Sequence, residues 1–134
     1  MDLVEFLNAR LDEDEQAARA AGDDRWALIP VYEDATIRHG RMPEPRSIQM
    51  VEANGEEVGN VHGVAHAEHI ARHDPARVLA EVDAKRQVVA YVAGELEDKG
   101  GDNPWWYEDK LRPVLCLLAL PYADHPDYDE AWRP

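Results

Sequence analysis

The sequence is poor in the residues that nucleophilic catalysis draws on. Its 134 residues include one cysteine (Cys116), one serine (Ser47) and one threonine (Thr36). A lone cysteine excludes an internal disulfide. Ser47 and Thr36 lack the strand-turn-helix setting of a nucleophile elbow. Cys116 lies between Leu115 and Leu117 and reads as a small buried hydrophobe with no activating neighbour. Long hydrophobic runs are missing as well. The longest, Val114–Leu120, is closed by Pro121 and is far short of the roughly 20 residues a membrane span needs. The opening Met1-Asp2-Leu3-Val4-Glu5 has neither a basic region nor an apolar run of signal-peptide length, which points to a cytoplasmic protein.

Positive charge is scarce. Lysine and arginine number 14 against 28 acids, a net charge of −14. Such a surface repels nucleic-acid phosphates and anionic headgroups. Direct nucleic-acid binding and membrane binding are therefore not expected. The densest basic cluster, Arg38, His39, Arg41 and Arg46, is weak. With 45% apolar residues the chain is nonetheless globular, and its length suits one domain over 1–134.

What is present reads as α+β: an N-terminal helix, a small antiparallel sheet with a hairpin at 46–62, then three helices. Asp2 and Glu5 form a capping box, Leu3, Leu7 and Leu11 give a helical stripe, and Gly22 ends a helix over about 2–21. Trp26–Tyr32 is β-prone, and Pro30 limits it to an edge or bent strand. Residues 41–46 read as a loop. Ile48, Met50 and Val51 face Val58 and Val61 across Asn54-Gly55, a dipeptide suited to the positive φ of a tight hairpin turn. Helical periodicity returns over 64–73. It restarts at Asp74-Pro75 as a cap and first-turn pair and runs to about 97. The loop at 99–102 and the pair Asn103-Pro104 lead into a last helix over about 105–120. In the tail at 122–134, Tyr128 and Trp132 are expected to dock on the core, since their burial is worth roughly 2–3 kcal/mol each.

Three features carry candidate function. His62, His66, His69 and His73 are spaced four, three and four apart. His66, His69 and His73 would share a helix face and are the candidate metal ligands, with Asp124, His125, Glu68 or Cys116 as conceivable further donors. The pattern lacks the glutamate of an H-E-x-x-H motif, His62 precedes Gly63, and no fixed fourth ligand is evident, so no resident metal or other cofactor is expected. Trp105, Trp106 and Tyr107 form an aromatic run of the kind enriched at interfaces. The acids at 12–15, 23–24, 95–98 and 127–130 could in principle imitate duplex phosphates. Gly55, Gly59 and Gly63 fall on the hairpin with no following lysine, which excludes a phosphate loop.

Three segments carry a family resemblance: Val4–Glu15, Ala67–Arg86 (AEHIARHDPARVLAEVDAKR) and Leu117–Tyr128. Together they resemble a family of uncharacterised small proteins from streptomycetes and their phages, a domain of unknown function. The segment His69–Arg86 is also similar to phage accessory proteins of the Ea22 type, in which a helix, a short break and a second helix precede a coiled region. The resemblance implies a mobile-element setting in actinobacteria and supplies no catalytic residues. The expected function is therefore a non-enzymatic interaction or accessory protein. Its partner would be a protein, one with a basic surface suiting the charge, and a homodimer is open to it. An acidic DNA mimic and a histidine metal-binding protein are the alternatives.

Overall fold

Residues 1–32, 45–99 and 107–134 are described by the structure, a computed structural model. In chain order they form α1 (Leu3–Ala20), β1 (Trp26–Tyr32), β2 (Pro45–Ala53), β3 (Glu56–His62), α2 (Val64–Arg72) and α3 (Pro75–Lys99). A π-helical turn at Tyr107–Leu111 then leads into α4 (Arg112–Ala119), and single 3₁₀ turns follow at Leu120–Tyr122 and Glu130–Trp132. This is the expected α+β order. They fall into two compact units, one of residues 18–79 and one of 1–17 with 80–134, whose boundaries lie inside α1 and α3.

The unit at 18–79 is built on a three-stranded antiparallel sheet in the order β1-β2-β3. β1 is an edge strand, as Pro30 requires. The hairpin turns at Asn54 (φ 52°) and Gly55 (φ 82°), the left-handed pair that the turn demands. The register slips between Val51/Glu52 and Gly59/Glu57, so that Val58 is the extra residue of a bulge. Because side chains alternate across a strand, Leu28, Gln49, Val51 and Val61 share one face. On that face Val51 and Gln49 are buried. α2 packs on all three strands, and its Ala67 is fully buried. Ile29, Val58 and His62 are exposed.

Asp74 joins α3 to the sheet in this unit. Its Oδ1 accepts from the Arg77 N–H at 2.8 Å, the N-cap that Asp74-Pro75 predicted. Its Oδ2 accepts from the Trp26 N–H at 3.2 Å, a bond the sequence does not announce. At the end of α1 the chain turns through Gly22 (φ 110°) and Asp23 (φ 61°).

In the other unit, α1 begins with the expected capping box. The Asp2 N–H donates to Glu5 Oε2 at 2.9 Å, and the Glu5 N–H donates to Asp2 Oδ1 at 2.8 Å. Its buried stripe is Leu3, Phe6, Leu7, Arg10 and Leu11, broader than the leucine row alone and containing a charge. Among the described residues, Val82, Val89 and Val92 of α3, Leu115, Cys116 and Ala119 of α4, and Trp132 complete the buried set. Arg86 of α3 reaches both Asp12 and Glu15 of α1 at 2.5 Å. These carboxylates hold the guanidinium above its ordinary pKa.

Candidate functional site

The histidines come first, because their spacing is the sharpest local signal. Gly63 (φ 87°) turns the chain into α2, and His66 and His69 lie on that helix with His73 as its C-terminal cap. The His66 Nδ1 lies 3.1 Å from the His62 carbonyl, and the His73 Nδ1 lies 2.9 Å from the His69 carbonyl. A carbonyl only accepts, so Nδ1 is the protonated nitrogen in each contact. His69 and His73 are brought together, ring centroids 4.4 Å apart and planes tilted by 39°. With Ala65, Glu68 and Arg72 they line a shallow cavity of about 180 Å³. All three histidines are solvent-exposed, and among the described residues no three histidine, cysteine, aspartate or glutamate side chains are grouped to hold a metal ion.

Trp105 and Trp106 lie outside the described residues, as do Thr36, Arg38, His39, Arg41 and the Asn103-Pro104 pair; Tyr107 opens the π-helical turn. Cys116 is buried, 4% exposed.

A second place was not singled out by motif. Phe6, fully buried, is the hub of an aromatic cluster supplied by the C-terminal segment. Around its ring stand Trp132 (centroids 4.9 Å), Tyr128 (5.9 Å), His125 (5.9 Å) and Tyr122 (6.4 Å). Most pairs meet edge to face, the arrangement that the ring quadrupole favours. The Arg10 guanidinium lies 5.3 Å from the Phe6 ring centre. Its Nη1 donates to the His125 ring, 2.6 Å from Nδ1, and its Nη2 donates to Glu13 at 2.7 Å. The Tyr122 hydroxyl donates to Asp14 Oδ2 at 2.6 Å. Burial first, then this bond and the Asp14 charge, push the phenol's pKa well above its ordinary value.

Outside this cluster the same segment forms an open groove of about 500 Å³, lined by Met1, Pro126, Asp127, Tyr128, Asp129, Glu130 and Trp132. The Asp129 Oδ1 accepts from the Ala131 N–H at 2.9 Å and so caps the 3₁₀ turn. Glu130 is paired with Arg133, Oε2 to Nε at 2.9 Å and Oε1 to Nη2 at 3.2 Å. That pairing lowers the Glu130 pKa and raises that of Arg133. Asp127 is exposed, its Oδ2 3.9 Å from His125 Nδ1. The alternation of acids and aromatics in Asp127-Tyr128-Asp129-Glu130-Ala131-Trp132 is the sequence signal for this groove. Trp132 turns in to the core while the acids stay in water.

No curated protein and no solved structure matches the chain. A family model does match, over residues 1–134, and it is described as a family of unknown function (DUF6221). The chain therefore belongs to the family of unknown function DUF6221.

Proposed function

We propose that the protein is a non-enzymatic interaction module whose acidic surface engages a basic surface on a protein partner. The observation that carries this reading is the charge, −14 on 134 residues, together with where it sits. Asp12 and Glu13 on α1, Glu56 and Glu57 at the hairpin tip, and Asp127 and Asp129 near the C-terminus are all exposed. At physiological salt the Debye length is about 8 Å, so exposed charges within that distance of one another reinforce each other. They attract a basic patch and speed its approach, and they repel phosphate. The resemblance to streptomycete and phage proteins supports an accessory role in such a setting. Among the described residues no helix is long and apolar enough to cross a membrane.

Two measurements test the reading. Partners captured from a streptomycete lysate and identified should be basic proteins released as salt rises from about 50 mM to about 300 mM. Titration with duplex DNA at low salt should give no saturation. Saturable DNA binding at micromolar protein, or a partner affinity indifferent to salt, overturns the proposal. Release of the captured partner by duplex DNA would identify a DNA mimic instead.

A further inference from the structure

We infer that the outer face of the helical stretch from Lys110 to Asp124 is a two-fold dimer interface, on which a second copy of this chain packs antiparallel about Leu117. The stretch comprises the end of the π-helical turn, α4 and the 3₁₀ turn after it. Its exposed residues are Lys110, Pro113, Val114, Leu117, Pro121 and Asp124. They fall three, one, three, four and three apart, the spacing of a single helical stripe. The opposite face, with Leu115, Cys116 and Ala119, is buried. Leu117 is 57% exposed and Val114 38%, in a helix that is apolar from Pro113 to Ala119. A helix that is apolar all round is ordinarily covered all round.

The order of residues along the stripe says what covers it. A cation stands at one end and an anion at the other, each seven residues from Leu117. Seven residues make almost two full turns, so the three lie close to one line along the helix. An antiparallel copy with its two-fold axis at Leu117 sets Lys110 against Asp124 of the second copy, at both ends. The same operation sets Pro113 against Pro121 and Leu117 against its own counterpart, apolar on apolar. A parallel copy would instead pair Lys110 with Lys110 and Asp124 with Asp124. Among the described residues, neither the Lys110 ammonium nor the Asp124 carboxylate has a hydrogen bond or an ion pair. Arg133, whose guanidinium feels the Asp124 charge, is bonded to Glu130. Charge selects this place as well. Acids make up 28 of the 134 residues, yet none lies between Asp109 and Asp124. Acidic faces of two copies repel each other, and this stripe avoids that repulsion. At 1.5 Å per residue the stretch is about 21 Å long, so the interface is small and the dimer depends on concentration.

The test is sedimentation equilibrium of the full chain from about 10 µM to about 1 mM, with amide spectra of the ¹⁵N-labelled chain over the same range. The parent should form a dimer, and its concentration-dependent shifts should centre on 110–124. Leu117→Glu changes an exposed position, so its circular dichroism should match the parent. It should weaken dimerisation by at least about tenfold, because two carboxylates then meet at the axis. Lys110→Glu and Asp124→Lys each create two like-charge contacts and should weaken it by about three- to tenfold. Mixed together, these two variants form a heterodimer in which both end contacts are again opposite in sign. The mixture should therefore associate about as tightly as the parent. A parent that stays monomeric at about 1 mM overturns the inference, as does a mixture that associates no better than its components. Either result leaves the charge-driven binding of a basic partner standing. Shifts centred on Val88 and Tyr91 of α3 would put the dimer on another face and overturn it too.

Discussion

Asp74 holds the first strand from 48 residues away: its Oδ2 accepts the Trp26 N–H at 3.2 Å while its Oδ1 caps α3 at the Arg77 N–H. The carboxylate is 4% exposed. One buried side chain thus serves a local function, starting a helix, and a long-range one, anchoring the start of the sheet. The Ala76 N–H donates to the Asp24 carbonyl at 3.2 Å beside it, so the two segments are joined twice.

Asp74→Ala removes both acceptors and leaves the Trp26 N–H without its partner. A lost cap costs about 1 kcal/mol and a buried unsatisfied donor about 1–3 kcal/mol, so a loss of about 2–4 kcal/mol is expected. Asp74→Asn keeps one acceptor oxygen and should lose roughly half as much. Urea denaturation followed by circular dichroism measures both. An alanine variant as stable as the parent would show that neither bond matters.

Phe6 is the hub of the C-terminal cluster, and it is the chain's one phenylalanine. Phe6→Ala leaves a cavity faced by Trp132, Tyr128 and Tyr122 and should cost about 3–5 kcal/mol. Trp132→Phe keeps an aromatic ring against Phe6 and should cost less. In Phe6→Ala the segment at 122–134 loses its anchor, so protease cleavage there should quicken. Unchanged cleavage would mean that the segment is held by contacts other than this ring.

How far the fold was legible follows from the range of the forces involved. Local signals were readable because neighbouring residues state them: the Asp2–Glu5 box, the Asn54-Gly55 turn, the Asp74-Pro75 start. The bulge at Val58 was not, since register depends on which residue of β2 faces which of β3. Arg10 was hidden for a similar reason. Its place in the buried stripe needs His125, Glu13 and the Phe6 ring to accept the charge, and His125 is 115 residues away. The histidine spacing predicted a shared face, and the structure does bring His69 and His73 together. The groove was not read from the sequence, where its only trace is the mixture of acids and aromatics at 127–132. Its shape depends on Trp132 packing against Phe6, across the length of the chain.

The histidine face should be indifferent to metal removal. The His66 and His73 Nδ1 atoms already bond backbone carbonyls, and the paired His69 and His73 rings would supply two ligands where zinc takes four. Dialysis against EDTA should leave the melting temperature unchanged, and metal analysis should find well under one equivalent of zinc. One equivalent surviving dialysis, or a melting temperature that falls with EDTA, would show a site that these side chains complete in another way.

Tyr122 gives the fold an alkaline limit. Its hydroxyl, partly buried, donates to Asp14 Oδ2 at 2.6 Å, and the bond exists only while the phenol keeps its proton. Burial and the neighbouring carboxylate raise its pKa in the folded state above the ordinary tyrosine value near 10. A group raised in this way contributes stability that is fully present below the unfolded pKa. The contribution fades as pH climbs from about 10 toward the folded value, because the unfolded chain loses that proton first. Stability should therefore be insensitive to this group from neutral pH to about pH 9 and decline beyond it. Tyr122→Phe removes the bond, costs about 1 kcal/mol at neutral pH, and flattens the alkaline decline. Spectrophotometric titration should show a phenol ionising only as the fold is lost, and Tyr122→Phe should abolish that delayed step. If no delayed step is seen, or if it survives the substitution, the Tyr122–Asp14 bond does not set the limit.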